Sequence, residues 1–112
     1  MKKIYAFRSY FDDFRNSLNE VERKKIMRAL LLLESEDKVP HHYIKYIKEG
    51  VFELRVNYGH SEFRIFHIYD GNVVVILLNA FRKKSQKTPS HELDKAIRLK
   101  NEYYENKRYE SD

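Results

Sequence analysis

Arg82, Lys83, Lys84 and Lys87 stand within six positions of one another, between the apolar run NVVVILLN and the dipeptide Thr88-Pro89. Lysine ammonium groups are mobile point charges that also carry protons, so this cluster suits an anionic ligand and proton transfer. Upstream, Arg55 and Arg64 lie on either side of Gly59 in segments whose apolar residues recur with a period of two. A tight turn at Gly59-His60 would set the two arginines opposite each other on neighbouring strands. Like charges so placed repel, and the pair makes sense around an anion such as a phosphate. The competing explanation is that Glu53 and Glu62 screen them as surface ion pairs, each worth about 0–1 kcal/mol.

Other chemistries are limited by composition. With no cysteine, the chain has no disulfide, thiolate zinc site or cysteine nucleophile. His41-His42 lacks a spaced third ligand and reads as a solvated loop, so neither a metal nor a cofactor is expected. Twenty-two Lys and Arg against 17 Asp and Glu leave a formal charge of +5, which favours anionic partners. The opening MKKIYAFRSYFDDF is interrupted by Arg8, Asp12 and Asp13, unlike a signal peptide, and no apolar run approaches a membrane span. The expectation is a cytoplasmic protein with no membrane partner.

The elements that must position these cations follow from the pattern. At 112 residues, with three Gly, two Pro and no repeats, the chain suits one domain spanning residues 1–112. KKIYAF predicts a strand, and Tyr10, Phe11 and Phe14 share one face of a helix near residues 10 to 17. Asn19 and Glu22 form a capping-box pattern for a second helix, with Ile26, Met27, Leu30, Leu31 and Leu33 as its apolar stripe. EDKVPHHYIKYIKEG reads as a connection. VFELRVN, EFRIFHIY and NVVVILLNAF then predict three strands, with Gly59 and Asp70-Gly71 as turns. Thr88 is placed as the cap and Pro89 as the first residue of a last helix, packed through Leu93, Ala96, Ile97 and Tyr104. The expected fold is α+β: an N-terminal strand and two helices, an antiparallel meander completing a four-stranded sheet, and a C-terminal helix.

A two-residue turn at Asp70-Gly71 would pair Arg64 with Leu77, and that at Gly59-His60 pairs Arg55 with Arg64. In this register Phe52, Leu54, Val56, Phe63, Ile65, Val74, Ile76 and Leu78 form the helix-packed face, with His67 as a core histidine. Glu53, Arg55, Asn57, Glu62, Arg64, Phe66, Leu77, Asn79 and Phe81 form the other. Lys83, Lys84, Lys87 and the N-terminus of the last helix converge beside the arginines, where backbone amides also attract phosphate. Phe66, Phe81 and Tyr103 are candidate stacking surfaces for single-stranded RNA.

VFELRV at 51–56, FRIFHIYDGNVVVILLNAF at 63–81 and KKSQKTP at 83–89 resemble RelE/HigB-type toxins of type II toxin–antitoxin systems, in the phage-derived, host-killing HigB-like branch. The resemblance covers nearly all of the chain. It implies a RelE-like fold and a metal-independent endoribonuclease that cleaves mRNA, typically on the translating ribosome, and is silenced by a helix-turn-helix, HigA-like antitoxin. By matching motif positions, Arg55, Arg64, Lys83, Lys84 and Lys87 become the catalytic candidates. Arg82, Phe66, Phe81, Asn79 and His91 join them as RNA-binding candidates. The family often has His-Gly where this chain has Asn79-Ala80, so no imidazole is available at that point. Two alternatives remain: a ParE-like inhibitor of a DNA topoisomerase, and a non-catalytic RNA-binding regulator.

Overall fold

In the computed structural model, which describes residues 1–35, 40 and 42–110, strands and helices follow the order β1 (Lys3–Ala6), α1 (Tyr10–Asn16), α2 (Glu20–Ser35), β2 (Ile44–Lys48), β3 (Val51–Tyr58), β4 (Ser61–Asp70), β5 (Val74–Lys83) and α3 (Ser90–Glu110). The α+β class stands, but the sheet has five strands in the order β1-β5-β4-β3-β2, not four. The extra strand is β2, which falls in the segment expected to be a connection and pairs antiparallel with β3. His41, half of the histidine pair, lies outside the described residues.

The capping box forms as the spacing requires. Asn19 Oδ1 accepts from the Glu22 amide at 2.8 Å and Glu22 Oε1 accepts from the Asn19 amide at 3.0 Å, which satisfies two helix-terminal donors. Glu22 also accepts from Arg82 Nη2 at 2.9 Å. These bonds, that from the Asn19 amide above all, hold its carboxyl below the ordinary carboxylate range.

Helices cover both faces of the sheet. Phe11, Phe14 and Leu18, with Ile26, Leu30 and Leu33 of α2, bury Leu54, Val56, Phe63, Ile65, Val75 and Leu77 on one side. On the other, Ala96 and Leu99 of α3 cover Val51, Phe66, Ile68, Ile76, Leu78 and Phe81. Met27 and Leu31, expected in the core stripe of α2, are exposed, as is Tyr104 of α3.

The β3–β4 hairpin has the expected register, Tyr58↔Ser61 and Arg55↔Arg64, and Gly59 supplies the positive φ of +59° that a tight hairpin turn demands. The β4–β5 hairpin does not. Asp70 pairs with Val74, so the loop holds Gly71, Asn72 and Val73, one residue more than a two-residue turn. Leu77 therefore faces α1 and α2 beside Ile65, while Val74, Ile76 and Leu78 face α3. A bulge between Ile65↔Ala80 and His67↔Leu77 then shifts the register again, and Arg64 lies opposite Phe81 rather than Leu77.

His67 is the core histidine expected. It is fully buried, with Nδ1 3.3 Å from the Ile65 carbonyl and its ring stacked on Phe52. Burial disfavours the imidazolium and lowers its pKa from 6.5 to about 4, against the smaller opposing effect of the Ile65 carbonyl. A depressed folded-state pKa contributes stability above the unfolded value that is lost as the pH falls through the folded one. Unfolding free energies should therefore drop between pH 6.5 and about 4. The full contribution of this one group is up to about 3 kcal/mol. Denaturant titrations at a series of pH values should give a flatter profile for His67→Phe, and parallel profiles for both proteins would refute the assignment.

Candidate functional site

Arg55 and Arg64 meet across β3 and β4 with a buried carboxylate between them. Glu53 Oε1 lies 3.4 Å from Arg55 Nε and 3.7 Å from Arg64 Nε, and the Glu53 side chain is only 2% exposed. Alternation along β3 causes this: Glu53 and Arg55 project from one face at i and i+2, and Arg64 stands directly across from Arg55. The two Nε groups are buried and make no hydrogen bond among the described residues, so their link to Glu53 is electrostatic.

The two arginines differ in access. Arg64 is nearly buried: Nη1 donates to Asn57 Oδ1 at 3.1 Å and the Phe63 carbonyl at 2.9 Å, and Nη2 to Glu62 Oε1 at 3.3 Å. Arg55 retains 35% of its side-chain exposure. A cleft of about 310 Å³ opens over both, lined also by His42, Tyr43, Asn57 and Glu62.

Thr88 does not cap α3 but donates its hydroxyl to Glu53 Oε2 at 3.1 Å. The helix begins at Ser90, with the Glu92 amide bonded to the Pro89 carbonyl at 3.1 Å. Glu53 therefore holds both arginines on one oxygen and the segment carrying Lys84 and Lys87 on the other. Lys83 pairs across the sheet with Glu62, two residues before Arg64 on β4. Lys84 and Lys87 are exposed, Lys83 is partly so, and none of the three forms a salt bridge among the described residues.

Of the other candidates, Phe66, Phe81, Tyr103, Asn79 and Arg82 make contacts within the fold. Phe66 is fully buried and Phe81 nearly so; they pack together at 5.6 Å under α3, and neither presents a face to a base. Tyr103 stacks edge-on against Phe7 and donates to Asp70 at 2.6 Å. Asn79, placed at the bulge, donates to both the Glu92 carbonyl and Glu92 Oε1 at 3.0 Å, tying β5 to the first turn of α3. Arg82 points to the opposite face, where it bonds Ser61 and Glu22 and covers the Phe63 ring at 4.8 Å. His91 is exposed at the start of α3, with Nε2 3.9 Å from Glu92.

Sequence reasoning assigns Glu53 to surface screening and so misses it as the organiser; it misses His42 and Tyr43 because β2 is not foreseen. The signal for Glu53 is present in its alternation with Arg55.

Residues 12–101 match the model of the family described as "Phage derived protein Gp49-like (DUF891)", well over half of the chain. No curated protein matches it. No helix among the described residues is long and apolar enough to cross a membrane, and they hold no group of three or more side chains able to bind a metal ion.

Removing one member of a buried charge cluster leaves the others uncompensated, at a cost of about 3–5 kcal/mol. Chemical denaturation of Glu53→Ala should show a loss of that order, with Glu53→Gln intermediate because it keeps an acceptor for Thr88. A loss below about 1 kcal/mol, as for a surface pair, would show that Glu53 does not organise the site.

Proposed function

The chain belongs to the phage-derived Gp49-like family, a family of RelE/HigB-like toxins, and we propose that it is the toxin of a type II toxin–antitoxin pair, acting as a metal-independent endoribonuclease on mRNA at the ribosome. The observation that carries this reading is the juxtaposition of Arg55 and Arg64 around Glu53 in an open cleft, with Lys83 emerging beside them. Its partner is an antitoxin, of the helix-turn-helix, HigA-like kind.

RNA carries its own nucleophile. The 2′-oxygen attacks the adjacent phosphorus as it loses its proton, the bond to the 5′-oxygen breaks, and that oxygen takes up a proton. A 2′,3′-cyclic phosphate and a 5′-hydroxyl remain. The protein must stabilise charge on the phosphorane and move two protons.

Arg55, the accessible member of the pair, contacts the phosphorane oxygens. Arg64, locked by Glu53, Asn57 and Glu62, lends a fixed positive field and keeps the strand pair in register. One of Lys83, Lys84 and Lys87 transfers a proton. They have no carboxylate partner among the described residues, which leaves them available to the RNA, and the Thr88–Glu53 bond ties their segment to the buried carboxylate between the arginines.

Induced expression of the wild type should arrest growth, and co-expression of the antitoxin should relieve the arrest. Arg55→Ala should still fold cooperatively, at a lowered thermal midpoint because Glu53 loses one of its two cations, yet cleave at least about 100-fold more slowly at a temperature well below that midpoint, the usual effect of removing one donor to a developing oxyanion. Mapping of new 5′ ends in total RNA after induction gives the readout. Undiminished cleavage by Arg55→Ala would refute the site, and inhibition of DNA supercoiling without RNA cleavage would refute the activity.

A further inference from the structure

β2 stops pairing with β3 at Leu54, and the Arg55 amide is taken by the Tyr43 carbonyl at 2.7 Å. Beyond that point β3 has no strand on its outer side among the described residues, so its last residues border a surface groove. This groove, about 270 Å³, runs from Arg55, Asn57 and Tyr43 across the β3 edge to Lys25, Arg28 and Leu32 of α2. It shares Tyr43, Arg55 and Asn57 with the cleft over Arg64, so the two adjoin across these residues.

The lining differs from that of the cleft in charge. The cleft contains Glu62, whereas the groove holds three cations and no carboxylate. Arg28 is exposed and makes no ion pair among the described residues. Lys25 does not pair with an acid among them either; its ammonium sits 5.6 Å from the centre of the Tyr58 ring. Tyr43 is 38% exposed where groove and cleft meet, its ring 4.3 Å from that of His42. An aromatic face beside Lys25 and Arg28, which pair with no acid among the described residues, is what a single strand of nucleic acid requires: rings for bases and point charges for successive phosphates.

We propose that this groove is the track for the single-stranded RNA flanking the scissile phosphate, with Tyr43 stacking on a base and Lys25 and Arg28 of α2 gripping the phosphates beyond it. The proposal rests on the ribonuclease reading and extends it to residues outside the Arg55–Arg64 cleft. An acidic protein segment would also be drawn to the cations, but the ring beside spaced charges fits the alternation of bases and phosphates along a nucleic-acid strand.

The test is fluorescence anisotropy with a labelled single-stranded RNA of about twelve nucleotides, made uncleavable by 2′-O-methyl groups, over a range of salt concentrations. Lys25→Glu/Arg28→Glu should bind more weakly, and the slope of log affinity against log salt should become shallower by about 0.7 for each phosphate that is no longer neutralised. Tyr43→Ala should weaken binding roughly tenfold with the salt slope unchanged, and Tyr43→Phe should restore it. Circular dichroism of each variant separates these effects from misfolding. Wild-type affinity and slope in the charge-reversed variant would overturn the track, as would a variant that loses only a poly-glutamate peptide. If the wild type cleaves RNA but the variants bind normally, the track alone fails. If the wild type binds RNA through these residues but never cleaves it, the ribonuclease reading fails and the track stands. A wild type that does neither removes both.

Discussion

The architecture of the site depends on one buried carboxylate. Arg55 and Arg64 face each other across β3 and β4, an arrangement that costs energy unless a negative charge intervenes, and Glu53 supplies it from the same face of β3. Because Glu53 and Arg64 are both buried, neither can be satisfied by solvent. Each is held by the other and by polar neighbours: Thr88 on Glu53, and Asn57, Glu62 and the Phe63 carbonyl on Arg64. The pairing thus fixes more than two side chains. It couples the register of the central hairpin to the position of the lysine segment, and a defect in either is transmitted to the other.

The covering of both sheet faces decides where such a site can open. α1 and α2 seal one face, and α3 seals most of the other through Phe66, Ile76, Leu78 and Phe81. The end of the β3–β4 hairpin, from Arg55 to Glu62, borders an open cleft, and β2 has stopped pairing there as well. Polar residues at this corner are tolerated because water reaches them. The same alternation a few positions further along β4 delivers Phe66 and Ile68 into the core. The bulge on β5 serves this boundary: it keeps Leu78 under α3 while turning Asn79 onto Glu92, which anchors the first turn of the helix.

What the sequence disclosed and what it concealed divide along physical lines. The central hairpin is legible because a two-residue turn with Gly59 leaves one register, and the Arg55–Arg64 pairing follows from it. Asp70-Gly71 carries an equally strong turn signal, but the loop takes in Val73 too, and the odd shift exchanges the faces of β5 as far as the bulge. That exchange is why Val74, Ile76 and Leu78 pack under α3 and Leu77 does not. The capping box of α2 is local and forms as its spacing predicts. Thr88 escapes prediction because its hydroxyl finds a partner 35 positions away in sequence, which no local pattern reveals. β2 is hidden by Pro40 and by an IKYIK segment whose lysines and tyrosine remain exposed at the sheet edge. Without β2, neither Tyr43 nor the charged face of α2 has a visible relation to Arg55.

Counting charges at the site clarifies how it can attract a polymer. Arg55 and Arg64 face Glu53 and Glu62, so the cleft is close to neutral within itself. Its arginines gain directional hydrogen-bonding power from being fixed, but little long-range pull. The charge that has no acidic partner among the described residues lies elsewhere, on Lys83, Lys84 and Lys87 and on Lys25 and Arg28. A small anion would be served best by cations converging on a point. Positive charge spread outside a neutral, rigid centre instead suits a ligand whose own charges are strung out along a chain, so the distribution of charge argues for a polyanion.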